Sequence, residues 1–107
     1  PGFTKRIDKL ASLDVLFSLQ NELVRDPELG DLMQGCAGAR KARVGDKTTA
    51  RGKSGGFRYV YVYIEIAGTI YLIHFFGKNE KANLSKAERN ELAKLVKKLK
   101  GLYGEKN

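Results

Sequence analysis

The sequence predicts an α+β fold, a small antiparallel sheet of three to four strands with N-terminal helices and a C-terminal helix. Three observations carry that expectation. Apolar residues recur at helical spacing only near the two ends of the chain. Two β-branched and aromatic runs, residues 57–66 and 69–76, occupy the middle, and a Ser-x-x-Glu sequence opens the last helical stretch. At 107 residues the chain has the length of one domain with a single core, so residues 1–107 are read as one unit.

Taken in order, Ile7 and Leu10 mark a short first helix. A second starts after Ser12, the N-cap candidate, repeats Leu13, Leu16, Phe17, Leu23 and Val24 at helical spacing, and stops at Pro27. Residues 39–44, ARKARV, read as a short strand carrying Arg40, Lys41 and Arg43. The two long runs pair as an antiparallel hairpin turning around Ala67–Gly68. Ser85 with Glu88 is a capping box for a helix whose stripe is Leu92, Leu95, Val96 and Leu99, with Gly101 as its stop. In this reading the helices cover one face of the sheet, and the other face and its loops are left for function.

Composition narrows the function. With 42% hydrophobic and 30% charged residues the chain belongs to the globular class. No apolar run approaches the roughly 20 residues of a membrane span, and no secretory signal is seen. The single cysteine, Cys36, cannot form an internal disulfide, so the cytoplasm is the expected compartment. The chain opens at Pro1 without Met, and a processed or trimmed product with an incomplete first strand is expected.

The formal net charge is +8 and is unevenly spread. Between Gly35 and Arg58, seven bases (Arg40, Lys41, Arg43, Lys47, Arg51, Lys53 and Arg58) stand against Asp46 alone, a local net charge of +6. Such a field concentrates polyanions, of which nucleic acid is the commonest in the cytosol. The lysines near the C-terminus, Lys94, Lys97, Lys98 and Lys100, instead read as the solvated side of an amphipathic helix.

The glycine-rich stretch RGKSGG is not a Walker loop: six residues separate Gly45 from Gly52, and a strand follows instead of a helix. No metal site is expected, because the only histidine, His74, has no partner at ligand spacing. His74 alternates with Leu72 and Phe76 along the second hairpin strand, where it either makes one structural hydrogen bond or takes part in chemistry. Tyr59, Tyr61 and Tyr63 share one strand face, with Val60, Val62, Ile64 and Ile66 on the other. The tyrosines either cover a half-exposed sheet face or stack on bases beside a basic loop. Arg58 falls on the valine face at the strand's start, entering the core edge as an ion-pair partner or projecting beside the loop.

From about residue 4 to residue 100 the order of these pieces resembles the RelE/ParE superfamily of bacterial toxins, particularly its HigB-like branch. The residues that carry the resemblance are GDLMQGCAGARKARV, GKSGGFRYVYVYIEI, IYLIHFFGKNEK and LSKAERNELAKLVKKLK. It implies a RelE-like fold and the toxin of a type II toxin–antitoxin pair, cleaving mRNA in the ribosomal A site with no metal or cofactor. By position it places catalytic bases at Lys41 and Arg43 and a phosphate-clamping arginine at Arg58. Lys78 and Asn79 stand on the loop where the family keeps another arginine, and Ser85 near a family tyrosine, so Lys78, His74 or a loop lysine is expected to share the chemistry. Arg40, Lys47, Arg51, Lys53, Tyr59 and Tyr61 are the expected RNA contacts. The expected partners are the ribosome, its mRNA and an antitoxin with a helix-turn-helix. Two rivals remain at this stage: a ParE-like poison of DNA gyrase that cleaves nothing, and a basic RNA-binding module without activity.

Cleavage of this kind asks for activation of a ribose 2′-OH, stabilisation of a pentavalent phosphorane and protonation of the departing 5′-oxygen. Arg58 suits the second task, since a guanidinium matches two phosphate oxygens and keeps its charge.

Overall fold

The computed structural model describes residues 13–45, 56–77, 80 and 83–104. The expected helix at Ile7 and Leu10, the Ser12 cap, and Lys47, Arg51, Lys53, Lys78 and Asn79 lie outside the described residues.

Helix α1, Leu13–Arg25, buries Val15, Leu19 and Leu23, which are spaced by four and so form one row. The stripe anticipated from sequence is met in part: Leu23 lies in this row and Leu16 packs against the core, whereas Leu13, Phe17 and Val24 are 54%, 56% and 80% exposed. The helix carries two apolar rows, and only one of them meets the sheet. After Asp26 the chain turns through Pro27 into a four-stranded antiparallel meander. Its strands are β1 (Asp31–Leu32), β2 (Arg40–Val44), β3 (Phe57–Ile64) and β4 (Thr69–Phe76), in the order β1-β2-β3-β4. A 3₁₀ turn, Glu65–Ala67, joins β3 to β4, with Gly68 in the left-handed region at φ 59°. Helix α2, Lys86–Leu102, is opened by the expected capping box: Ser85 Oγ accepts from Glu88 N–H at 3.1 Å, and Glu88 Oε1 accepts from Ser85 N–H at 2.9 Å. Those bonds hold the Glu88 carboxyl below the usual carboxylate range. The helix runs through Gly101, its anticipated stop, and ends at Leu102 with Tyr103 as the cap.

The sheet is covered on both faces, contrary to the expectation that one would be left open. On one face α1 buries Ala42, Val44, Phe57, Tyr59, Tyr61 and Phe75. On the other, Leu84, Leu92 and Val96 cover Ala39, Val60, Val62 and Ile64. Beyond Arg58, central strand β3 is thus enclosed on both sides, a position that suits its run of valines, tyrosines and isoleucine. The base-stacking reading of Tyr59 and Tyr61 is corrected here, because both are 0% exposed and present no ring face to a base. A bulge supplies a second correction. Val60 pairs with His74 and Tyr61 with Leu72, so Ile73 is the extra residue and Leu72 lies on the opposite face from His74 and Phe76.

The two buried tyrosines differ at their hydroxyls. Tyr61 Oη donates to the Pro27 carbonyl at 2.7 Å and accepts from Gly30 N–H at 3.0 Å, tying the α1–β1 connection to the sheet. Tyr59 Oη is buried without a hydrogen-bond partner among the described residues, and burial, with the Glu22 charge adding, pushes its phenol above its ordinary value. The two Phe variants should therefore move stability in opposite directions. Tyr61→Phe is expected to cost about 1–3 kcal/mol by stranding two backbone groups, whereas Tyr59→Phe removes an unpaired hydroxyl and gains up to a similar amount. Because the folded state holds the Tyr59 proton more tightly than the unfolded chain, its contribution is intact below pH 10, the ordinary phenol value, and is lost as pH rises beyond it. Melting temperatures across that range check both points, and a Tyr59→Phe protein less stable than the parent would remove the explanation.

Candidate functional site

On the α2 side of the sheet the strand register arranges two rows. Arg43, Arg58 and Phe76 form one across β2, β3 and β4, and Lys41, Val60 and His74 form the next. The following residues on this face, Ala39, Val62 and Tyr71, belong to the α2 core cluster. The face therefore changes character along its length. It is apolar where α2 lies across it, and cationic toward the start of β3. Arg43 and His74 are exposed, while Lys41 and Arg58 are half-buried.

The Arg43–Arg58 pair is the feature that ordinary sheet energetics does not explain. The two residues are directly opposed in the β2–β3 ladder, where like charges are destabilising by a few tenths to about 1 kcal/mol. Arg58 is also restrained. Its Nη2 donates to the Glu80 carbonyl at 2.8 Å, and its Nε is buried without a hydrogen-bond partner among the described residues. A half-fixed guanidinium with unspent donors, facing a second arginine, is arranged for an anion that bridges them.

Beside this surface runs an open groove of about 460 Å³ between β4 and the first turns of α2. Ile73, His74, Ala87, Glu88, Glu91, Leu92 and Leu95 line it. His74 thus stands between the cationic rows and the groove, with its ring 6.0 Å from that of Phe76.

The family model for the RelE toxin of the RelE/RelB toxin–antitoxin system matches residues 24–106, a span that takes in all four strands, α2 and every residue of the two rows. The chain belongs to the RelE toxin family.

For this RelE-family toxin the expected site residues divide clearly. Lys41, Arg43, Arg58 and His74 share one face. Arg40 does not join them. It pairs with Tyr61 on the α1 face, and its guanidinium is taken up by the Gly30 carbonyl at 2.7 Å, the Glu28 carbonyl at 3.1 Å and the Glu28 carboxylate at 3.4 Å. Its expected RNA contact is replaced by a structural tie to the α1–β1 connection. Tyr59 and Tyr61 are core, as described above. Ser85, expected near a catalytic position, has its hydroxyl committed to the α2 cap. Sequence reading missed Glu80 and Phe76. Glu80 sits in GKNEK, but a single loop acid carries no periodicity that would single it out.

Proposed function

We propose that this RelE-family toxin is a ribosome-dependent, metal-independent mRNA endoribonuclease of the HigB-like kind, acting in the cytoplasm to halt translation. The opposed Arg43 and Arg58 carry the reading: two guanidiniums held together at a cost, one of them oriented by a backbone carbonyl, match the charge that accumulates on a phosphorane. Arg58 grips the scissile phosphate and Arg43 shares its negative charge. Lys41 and His74, on the adjacent row, are the groups able to exchange protons with the ribose 2′-OH and the departing 5′-oxygen. Lys78, Asn79 and the basic residues Lys47, Arg51 and Lys53 fall in loops flanking this end of the sheet in sequence and are proposed to follow the RNA backbone. The family pairs its toxin with an antitoxin. For this chain we infer one with a helix-turn-helix that neutralises the cationic face with acids or covers it sterically.

Induction without antitoxin should stop translation and leave new 5′ ends within translated messages, read by primer extension. Intact messages accompanied by DNA damage would replace this reading with gyrase poisoning. Intact messages with RNA bound to the protein would reduce it to a non-cleaving binding module.

A further inference from the structure

Glu80 follows β4 and holds three bonds that connect the end of that strand to Arg58. Its carboxylate Oε1 accepts from the Gly77 N–H at 2.8 Å, and its own N–H donates to the Gly77 carbonyl at 3.1 Å. Its carbonyl oxygen accepts from Arg58 Nη2 at 2.8 Å. The first two bonds hold Glu80 against Gly77, and the third fixes the guanidinium to Glu80. An acidic side chain in a cationic site is normally a liability for binding phosphate. Here the carboxylate has a backbone partner in Gly77, while the atom turned toward Arg58 is the neutral carbonyl.

We propose that Glu80 is a positioning residue for Arg58: by holding Glu80 against Gly77, its carboxylate aims the carbonyl that sets the angle at which the guanidinium meets a phosphate. An arginine has many rotamers, and a bidentate contact uses few of them. Arg58 spends one Nη2 donor on the carbonyl and keeps its remaining Nη donors for the ligand. The inference rests on the endoribonuclease reading for its kinetic consequence and on the hydrogen bonds alone for its structural one.

The test compares Glu80→Ala, Glu80→Gln, Arg58→Ala and the Glu80→Ala/Arg58→Ala double variant in single-turnover cleavage of message on programmed ribosomes. Folded fraction is measured for each. Glu80→Ala should lose on the order of 10-fold to 10²-fold in kcat, with KM little changed, as expected for a misplaced group. Glu80→Gln should stay near the parent, because its amide oxygen still accepts from Gly77 N–H. In the Arg58→Ala background Glu80→Ala should cost nothing further. Glu80→Ala at parental kcat, Glu80→Gln as impaired as Glu80→Ala, or an undiminished loss in the double variant would each overturn the proposal.

A second readout needs no cleavage. In ¹⁵N NMR of the uncomplexed protein the Arg58 guanidinium should give slowly exchanging, restrained Nη signals in the parent and in Glu80→Gln. If Glu80→Ala does not fold, Glu80→Asp replaces it in both assays, its carboxylate being one methylene too short to reach Gly77. The signals should average in whichever variant is used, and identical spectra would overturn the positioning role. Should the parent fail to cleave, the endoribonuclease reading falls, and the NMR comparison still decides whether Glu80 orients Arg58.

Discussion

Arg58→Ala is expected to remain folded while losing on the order of 10²-fold or more in mRNA cleavage. The substitution removes a charge-assisted bidentate contact at the point where negative charge grows most in the transition state. The stability change should stay within about 1 kcal/mol, because two small terms oppose each other. Loss of the bond to the Glu80 carbonyl destabilises, and relief of the repulsion from the opposed Arg43 stabilises. Arg58→Lys should restore little, since a point charge cannot reproduce the fork. The competing role, an arginine that merely holds the sheet edge against an acid, has no support from Glu65, which lies at the far end of β3 from Arg58. Growth arrest and melting temperature, measured on both variants, decide between the two. A destabilised Arg58→Ala protein that is still toxic would take Arg58 out of the catalytic set.

The largest structural effect is expected at Gly56. A Cβ built there would lie 2.1 Å from the Val44 carbonyl oxygen and 3.0 Å from both the Val44 carbonyl carbon and the Gly45 Cα. All three neighbours are backbone atoms at the place where Val44 pairs with Phe57, so no side chain can swing aside to make room. Gly56→Ala must push β2 and β3 apart at the end that carries Arg43 and Arg58. A cost of about 3–5 kcal/mol is expected, a large part of the 5–15 kcal/mol that holds a typical domain together. Urea unfolding measures it directly; a midpoint equal to the parent's would mean that the strands can separate there at little cost. Toxicity should fall in step, since the two arginines depend on that pairing for their spacing.

The contrast between these two sites shows what sequence patterning can and cannot reach. Local chemistry was legible. Ser85 and Glu88 announce a helix start because the two bonds of a capping box need only that spacing. Both strands of the β3–β4 hairpin are where the β-branched and aromatic runs put them, apart from the 3₁₀ turn that ends β3 at Ile64. Burial was less legible. Alternating tyrosine and valine reads as a polar face and an apolar face, yet a phenol has an apolar body, and Tyr61 meets its polar needs inside the core through Pro27 and Gly30. The two-residue β1 is too short to leave a pattern, and the bulge at Ile73 shifts the alternation of β4 by one without marking the sequence. At the site, Lys41, Arg43 and Arg58 were visible as a charge cluster and as matches to family positions. The exclusion of Arg40 and the inclusion of Glu80 depend on backbone carbonyls, whose placement is a property of the folded chain.

The sequential meander also bears on the order in which the molecule assembles. Residues 65–68 connect β3 to β4, whereas residues 45–56 connect β2 to β3, a connection three times as long in sequence. Closing the shorter one costs about 1 kcal/mol less in chain entropy. Nucleation is thus favoured at the β3–β4 hairpin, which assembles an almost uncharged apolar ladder, and β2 joins afterwards. Arg43 and Arg58 meet only when β2 joins, so their repulsive pairing lies outside the hairpin that loop closure favours first.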